Sequence, residues 1–268
     1  MQTYSKWEVI FWDNQSSDKS AEIFLSFKEP RFKYFLAPKH TRLYDARNQA
    51  IEKAQGEFIA FLDVDDWWEP EKLKIQIPLF ENPTVGVVYG NYWYYDEIKG
   101  KHFKGLKIKL PTGWILDSLL RVSRVALMTV LVRRTALIDS VTPCDPRYHI
   151  IGDFDLYVRL AKTWQFDCVD VPVATYRWHG NNETLHHQSL HMREWMTWLS
   201  EAKSEPLIFS LPGFRKRTNS ILAMQALMFW DEGRYSEAIK LYRELDLIRS
   251  KARVLVLLLR NIFLRKWS

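Results

Sequence analysis

The stretch from Phe58 to Trp68 constrains the fold more than any other part of the chain. It opens with five apolar residues, Phe58 to Leu62. That run leaves no surface face, which suits a buried strand of a parallel sheet. It ends in three carboxylates within four positions, Asp63, Asp65 and Asp66. So much negative charge at the mouth of an apolar sheet is unfavourable without a positive partner. Carboxylate oxygens suit a hard divalent cation, Mg2+ or Mn2+, of the kind that carries a substrate's phosphates. The same residues also read as a solvated turn, with Asp66 ahead of Glu69-Pro70-Glu71 starting a helix. Taken alone, the pattern leaves both readings open.

The flanking sequence alternates strand and helix. Trp7 to Trp12 reads as a strand, and Asp13 to Asp18 as the polar turn after it, with Ser17 or Asp18 capping a helix from Lys19 to Phe27. A strand at Phe32 to Leu36 and a helix at Tyr44 to Lys53, with Gly56 placed to end it, lead into the carboxylate strand. This order predicts an α/β fold with a doubly wound parallel sheet and ligands at the carboxyl ends of its strands. Further on, the pattern predicts a helix from Pro70 to Phe80 and strands at Val85 to Tyr95 and Ala126 to Arg133. Asp153 falls in the first turn of a helix, where the dipole favours its charged form. Asp167 to Pro172 reads as short and extended, and Tyr176 to Asn182 as a polar loop. No glycine-rich phosphate loop is present. From His187 the pattern is helical, and Ala223 to Leu245 looks like a single helical hairpin of the tetratricopeptide kind.

Charge and cysteine usage narrow the partners. The net charge of +6 is modest and concentrated in the last twenty residues, which argues for an anionic surface and against a nucleic-acid groove. Arg249 to Ser268 carries six basic residues and no acidic one, and its pattern predicts an in-plane amphipathic helix on anionic lipid. Docking of that apolar side on the protein itself is the competing reading. Cys144 and Cys168 form no metal or disulfide spacing, so a reducing compartment is expected; with the basic tail, the chain reads as cytoplasmic, peripheral at the inner face of a membrane.

Five motifs in order, Asp13 to Asp18, Ala46-Arg47-Asn48, Gly56 to Asp66, Gly152 to Leu156 and Tyr176 to His179, closely resemble the family 2 glycosyltransferases. These are inverting enzymes of the GT-A fold, a Rossmann-like, mostly parallel sheet flanked by helices. The resemblance covers residues 1–182, within a domain read as 1–190, and leaves 191–268 as a helical C-terminal region. It implies a nucleotide-diphosphate sugar donor, a divalent metal (Mn2+ or Mg2+) and a hydroxyl acceptor, a glycan or lipid-linked glycan of cell-surface polysaccharide or glycolipid synthesis. By position, Asp63 and Asp65 are the DxD signature that binds donor and metal, with Asp66 beside them. Asp153 matches the family's catalytic base. The resemblance also implies that Asp13 and Asn14 face the nucleotide base, that Arg47 reaches the diphosphate, and that His179 ligates the metal or meets a phosphate.

Two competing functions share these residues: a nucleotidyltransferase, which also uses paired Asp and Mg2+, and a non-catalytic scaffold. In the family an opening strand and helix of roughly 30 residues precede the point that Met1 to Tyr4 matches. That strand would lie between Trp7–Trp12 and Phe58–Leu62. Without it, these two strands are expected to pair directly or another segment to fill the slot. The 268-residue chain by itself is expected to be poorly soluble or to bind donor weakly.

Overall fold

The computed structural model describes residues 2–138, 142–182 and 186–246, so the basic segment after Asp246 lies outside the described residues. The chain divides into two compact units, Met1–Leu116 with Arg124–His187, and Asp117–Ser123 with Gln188–Ser268.

The first unit runs β1 (Val9–Asp13), α1 (Ser20–Ser26), β2 (Phe32–Leu36), α2 (Leu43–Lys53), β3 (Phe58–Ala60), β4 (Trp67–Trp68), α3 (Lys72–Gln76), β5 (Val85–Asp96) and β6 (Lys101–Lys104). After α4 (Leu116–Arg121), most of which belongs to the second unit, come β7 (Leu131–Arg133), α5 (Arg134–Ile138), α6 (Gly152–Leu160) and β8 (Gln165–Trp178). The larger sheet has the order β3-β7-β5-β8-β4, with β6 added to β5. β5 and β8 pair in parallel over most of their length, from Val85 opposite Gln165 to Asp96 opposite Trp178.

The α/β architecture stands, but the sheet is mixed instead of mostly parallel. Among the described residues only β1–β2 and β5–β8 are parallel, and four pairings are antiparallel. Connection length explains one of the antiparallel pairs: β6 returns from β5 through a tight turn, with no room for the crossover that parallel pairing needs.

β1 and β2 form a separate two-stranded sheet, so of the two expected outcomes direct pairing of β1 with β3 is not seen. Instead, the chain before β1 is tied beside α3. Gln2 Nε2 donates to Glu69 O at 2.7 Å, and Thr3 N to Pro70 O at 2.9 Å. Tyr4 and Trp7 then pack with Phe58, Ala60 and Trp68 on the cluster of Leu73, Phe80, Val85, Val88 and Leu131.

Other boundaries differ for local reasons. The helix expected from Pro70 to Phe80 is a five-residue α3 followed by a 3-10 turn at Ile77–Glu81. Pro78 lacks the N–H that would continue the α-helix. The strand expected over Ala126 to Arg133 is likewise a 3-10 turn, Leu127–Thr129, and the short β7. Asp167–Pro172 and Tyr176–Trp178, read as separate pieces, belong to the single strand β8.

The second unit contains α7 (Gln188–Lys203), α8 (Pro206–Phe209), α9 (Pro212–Asp231) and α10 (Tyr235–Glu244) around buried Trp195, Trp198, Leu199, Phe214 and Ile221. Asp117 Oδ1 accepts from Gly213 N at 2.6 Å, and Arg217 donates to Leu120 O, fixing α4 on the start of α9. α9 and α10 form the expected helical hairpin, turned at Gly233 with φ +80°. Among the described residues, no helix is long and apolar enough to cross a membrane.

Candidate active site

The carboxylate turn closes on itself, with Asp66 N donating to Asp63 O at 3.1 Å. α3 starts six residues after Asp66, with Glu71 at its N-cap, so Asp66 does not cap that helix. Its Oδ1 instead accepts from Arg177 N at 2.9 Å, near the end of β8. The antiparallel β4–β8 pair, with Trp67 opposite Thr175, makes this junction. It also brings His179, just past β8, to Asp65, where Nε2 and Oδ2 are 3.0 Å apart. Burial pushes the Asp66 carboxyl up to about 7; the Arg177 N–H opposes this, and Asp65 and Asp63 reinforce it. Asp63, Asp65 and Asp66 therefore lie within reach of one another's charge on one turn.

α2 supplies the positive partner. Arg47 is mostly buried and donates from Nη2 to Asp63 Oδ1 at 2.7 Å. Its guanidinium carbon lies 5.1 Å from the Tyr44 ring centroid, and its charge also acts on Asp153. One arginine thus faces both the carboxylate turn and the first turn of α6.

Asp153 itself is inside that first turn, one residue past Gly152, and the N-cap is Ile151. Asp153 Oδ1 accepts from Phe154 N at 2.7 Å, and Asp153 N donates to Tyr44 Oη at 2.9 Å. Burial pushes the carboxyl up to about 6; the Phe154 N–H and Arg47 pull it down, and Asp63 pushes it up. A carboxyl poised near neutral pH can take a proton and later release it.

Asp13 and Asn14 end β1 and have local partners. Asp13 accepts from Ser16 N at 2.7 Å and from Tyr34 Oη at 2.6 Å, and the Tyr34 hydroxyl is the main influence holding its carboxyl below the usual range. Asn14 pins the approach to α2, donating to Thr41 O at 2.8 Å and accepting from Thr41 N at 3.0 Å. Both side chains shape the loop above β1 as it stands.

The donor set suits a cation only in part. Among the described residues no three His, Cys, Asp or Glu side chains form a cage for an ion. Asp65 Oδ2 and His179 Nε2 do converge on one point, and a hard cation there can replace the shared proton. Such a site fits an ion that takes its remaining ligands from a diphosphate.

Sequence reasoning missed Tyr44, the partner of the Asp153 amide. The available signal was its position three residues before Arg47, on the same helix face.

Residues 1–128 match the family model described as glycosyl transferase family 2. That segment belongs to this family. The match includes the carboxylate turn and Arg47 and ends before Asp153 and His179. Among the curated relatives of the family domain is the Escherichia coli UDP-Glc:alpha-D-GlcNAc-diphosphoundecaprenol beta-1,3-glucosyltransferase WfgD. It is 35% identical over 136 residues, 51% of this chain and 52% of WfgD. The amylovoran biosynthesis glycosyltransferase AmsB of Erwinia amylovora is 29% identical over 188 residues, 65% of this chain and 61% of AmsB. The chain spans about half the length of the first curated relatives it matches. In fold, the S. aureus TarS 1-349 structure in complex with UDP-GlcNAc superposes with a TM-score of 0.60 at 13% identity, covering 94% of this chain and 76% of TarS 1-349. The fold is GT-A.

Proposed function

We propose that this chain transfers a sugar, with inversion, from a nucleoside-diphosphate sugar to a hydroxyl of a lipid-linked or polysaccharide glycan. The observation that carries this reading is the position of Arg47, between the carboxylate turn at Asp63 and the poised carboxyl of Asp153. Donor-binding groups and a base belong at one site for a single displacement. Relatives named for glucosyl transfer to a diphosphoundecaprenol-linked sugar, and a fold neighbour holding UDP-GlcNAc, support the donor and acceptor classes.

In this mechanism Arg47 and Asp63 bind and orient the donor's diphosphate and ribose, and Asp13 and Asn14 shape the base pocket. Asp65 and His179 would hold Mn2+ or Mg2+, with Asp66 adding charge. The ion's contribution is to offset negative charge on the departing nucleoside diphosphate. Asp153 Oδ1 is held by the Phe154 N–H, which aims the carboxylate. The acceptor oxygen attacks the anomeric carbon, its proton passes to Asp153, and the bond from that carbon to the diphosphate oxygen breaks. No nucleophilic side chain is required. Work at the inner face of a membrane follows from the lipid-linked acceptor class.

A screen of UDP-glucose, UDP-GlcNAc and other nucleotide sugars for Mn2+-dependent UDP release, with Asp153→Asn as control, tests the reading. Release that is lost in Asp153→Asn supports it. Release equal in the two proteins removes Asp153 from the role.

A further inference from the structure

Helix α6 begins without a side-chain cap, because Ile151 at its N-cap position has no group to accept the first free N–H donors. The acceptor comes from another element, 109 residues earlier in the chain, where Tyr44 Oη takes the Asp153 N–H at 2.9 Å. Tyr44 is only 3% exposed, and burial drives its pKa far above the usual tyrosine value, so the hydroxyl stays neutral. Its ring lies directly against Gly152. A Cβ at that position would fall 2.4 Å from Tyr44 Cε2 and 2.5 Å from Cζ. Only glycine lets the first turn of α6 come this close. Arg47 also lies over this ring, its guanidinium carbon 5.1 Å from the centroid, and continues to Asp63.

We infer that Tyr44 is a positioning residue, its hydroxyl on the Asp153 amide and its ring beneath Gly152 fixing the first turn of α6 so that the Asp153 carboxyl meets the donor site. This rests on the reading of Asp153 as the base. Tyr44 is in a position to act through Asp153 without touching the reacting atoms. Its register on α2 also fixes where Arg47 projects, so one helix face aligns the donor carboxylates with the base. A displacement of the base by a fraction of its hydrogen-bond length weakens proton removal while leaving donor binding to groups on other elements.

The test uses Tyr44→Phe in the full chain, which keeps the ring against Gly152 and removes only the hydroxyl. Two readouts are taken: hydrogen exchange of the Asp153 amide in the free protein, and steady-state UDP release from UDP-glucose or UDP-GlcNAc with Mn2+. The expected result is faster exchange at Asp153 and a kcat lower by about tenfold, with the sugar-nucleotide KM unchanged. A residue that merely fills the core would move neither the exchange of that one amide nor kcat apart from KM. Gly152→Ala is the second variant, since it pushes the ring aside without altering Tyr44, and the same signature is expected from it. Exchange at Asp153 that stays at the wild-type rate in Tyr44→Phe overturns the inference, whatever turnover shows. Faster exchange with unchanged kcat overturns it as well. The base assignment fails separately, by wild-type turnover in Asp153→Asn.

Discussion

His179 Nε2 lies 3.0 Å from Asp65 Oδ2, although 114 residues separate them. The contact exists because Trp67–Trp68 pairs with the last residues of β8, so the turn before β4 and the loop after β8 emerge side by side. Neither side chain is fully exposed, at 22% for His179 and 35% for Asp65. As an isolated surface pair it would contribute about 0–1 kcal/mol to stability. In the proposed function this pair is the one that would hold the cation.

Asp65→Ala and His179→Ala should therefore each abolish or strongly weaken the Mn2+-dependent part of UDP-sugar binding, while the melting temperature moves by no more than about 1 kcal/mol would imply. Calorimetry with UDP-glucose or UDP-GlcNAc, with and without Mn2+, measures this. Wild-type metal dependence in both variants would refute the shared site.

Asp153→Asn should keep donor affinity and lose transfer by roughly 10²–10⁴-fold, because the amide retains the shape but cannot accept a proton. The same change should stabilise the protein at pH 7. Burial raises the folded Asp153 carboxyl to about 6, above the ordinary aspartate range, so between that range and about 6 the folded state binds more protons than the unfolded one. Stability from this group is therefore greatest at low pH and declines as pH rises through that window. Removing the charge recovers on the order of 1–3 kcal/mol at neutral pH. Thermal melts at pH 5 and pH 7 should show the variant's advantage at both values, larger at pH 7.

The parts of this site legible in the sequence are those made by neighbours in the chain. The apolar run ending in carboxylates gave β3 and its turn, and the placement of Asp153 one residue after a glycine gave the start of α6. The parts that were not legible depend on distant contacts. Tyr44 reads as an ordinary helix residue until Gly152 is brought against its ring. β8 reads as two pieces in sequence, and Pro172 within it cannot donate to a ladder. In the structure Gly90 pairs with Val169 and the next residue, Asn91, with Pro172, so the proline sits at an irregularity that tolerates it. Gly56 was placed as a helix stop, yet α2 ends at Lys53 with Ala54 as its cap. Burial of a lysine at position 72 runs against every expectation from composition.

Transfer should rise with pH from about 5 to 7 with a midpoint near 6, as Asp153 loses its proton. The charged or titratable groups around it are Arg47 and Tyr44 on α2, Asp63 on the carboxylate turn, Tyr157 one turn further along α6, and Cys144. Of these, Arg47 is the cation that favours the carboxylate. Arg47→Met should therefore move the midpoint of kcat/KM upward and weaken donor binding through Asp63. A midpoint that stays put would mean that Arg47 serves the donor alone.

Lys72 gives a prediction that does not depend on catalysis. Its side chain is fully buried on α3, and Nζ donates to Gln76 Oε1 and, at 2.9 Å, to Thr129 O, with the Trp68 ring centroid 5.0 Å away. No carboxylate is among these hydrogen-bond partners, and burial lowers its pKa well below the ordinary lysine value. The folded state then releases the Lys72 proton at a lower pH than the unfolded chain does. The unfolded state binds more protons, so stability from this group increases as pH rises toward the unfolded pKa, by up to about 1.4 kcal/mol per unit. Lys72→Met keeps much of the volume and removes the titration. The difference in unfolding free energy between wild type and Lys72→Met should thus shift in favour of wild type from pH 7 to pH 9.5, measured by urea melts across the series. Parallel pH curves for the two proteins would show that Lys72 keeps its charge inside the fold.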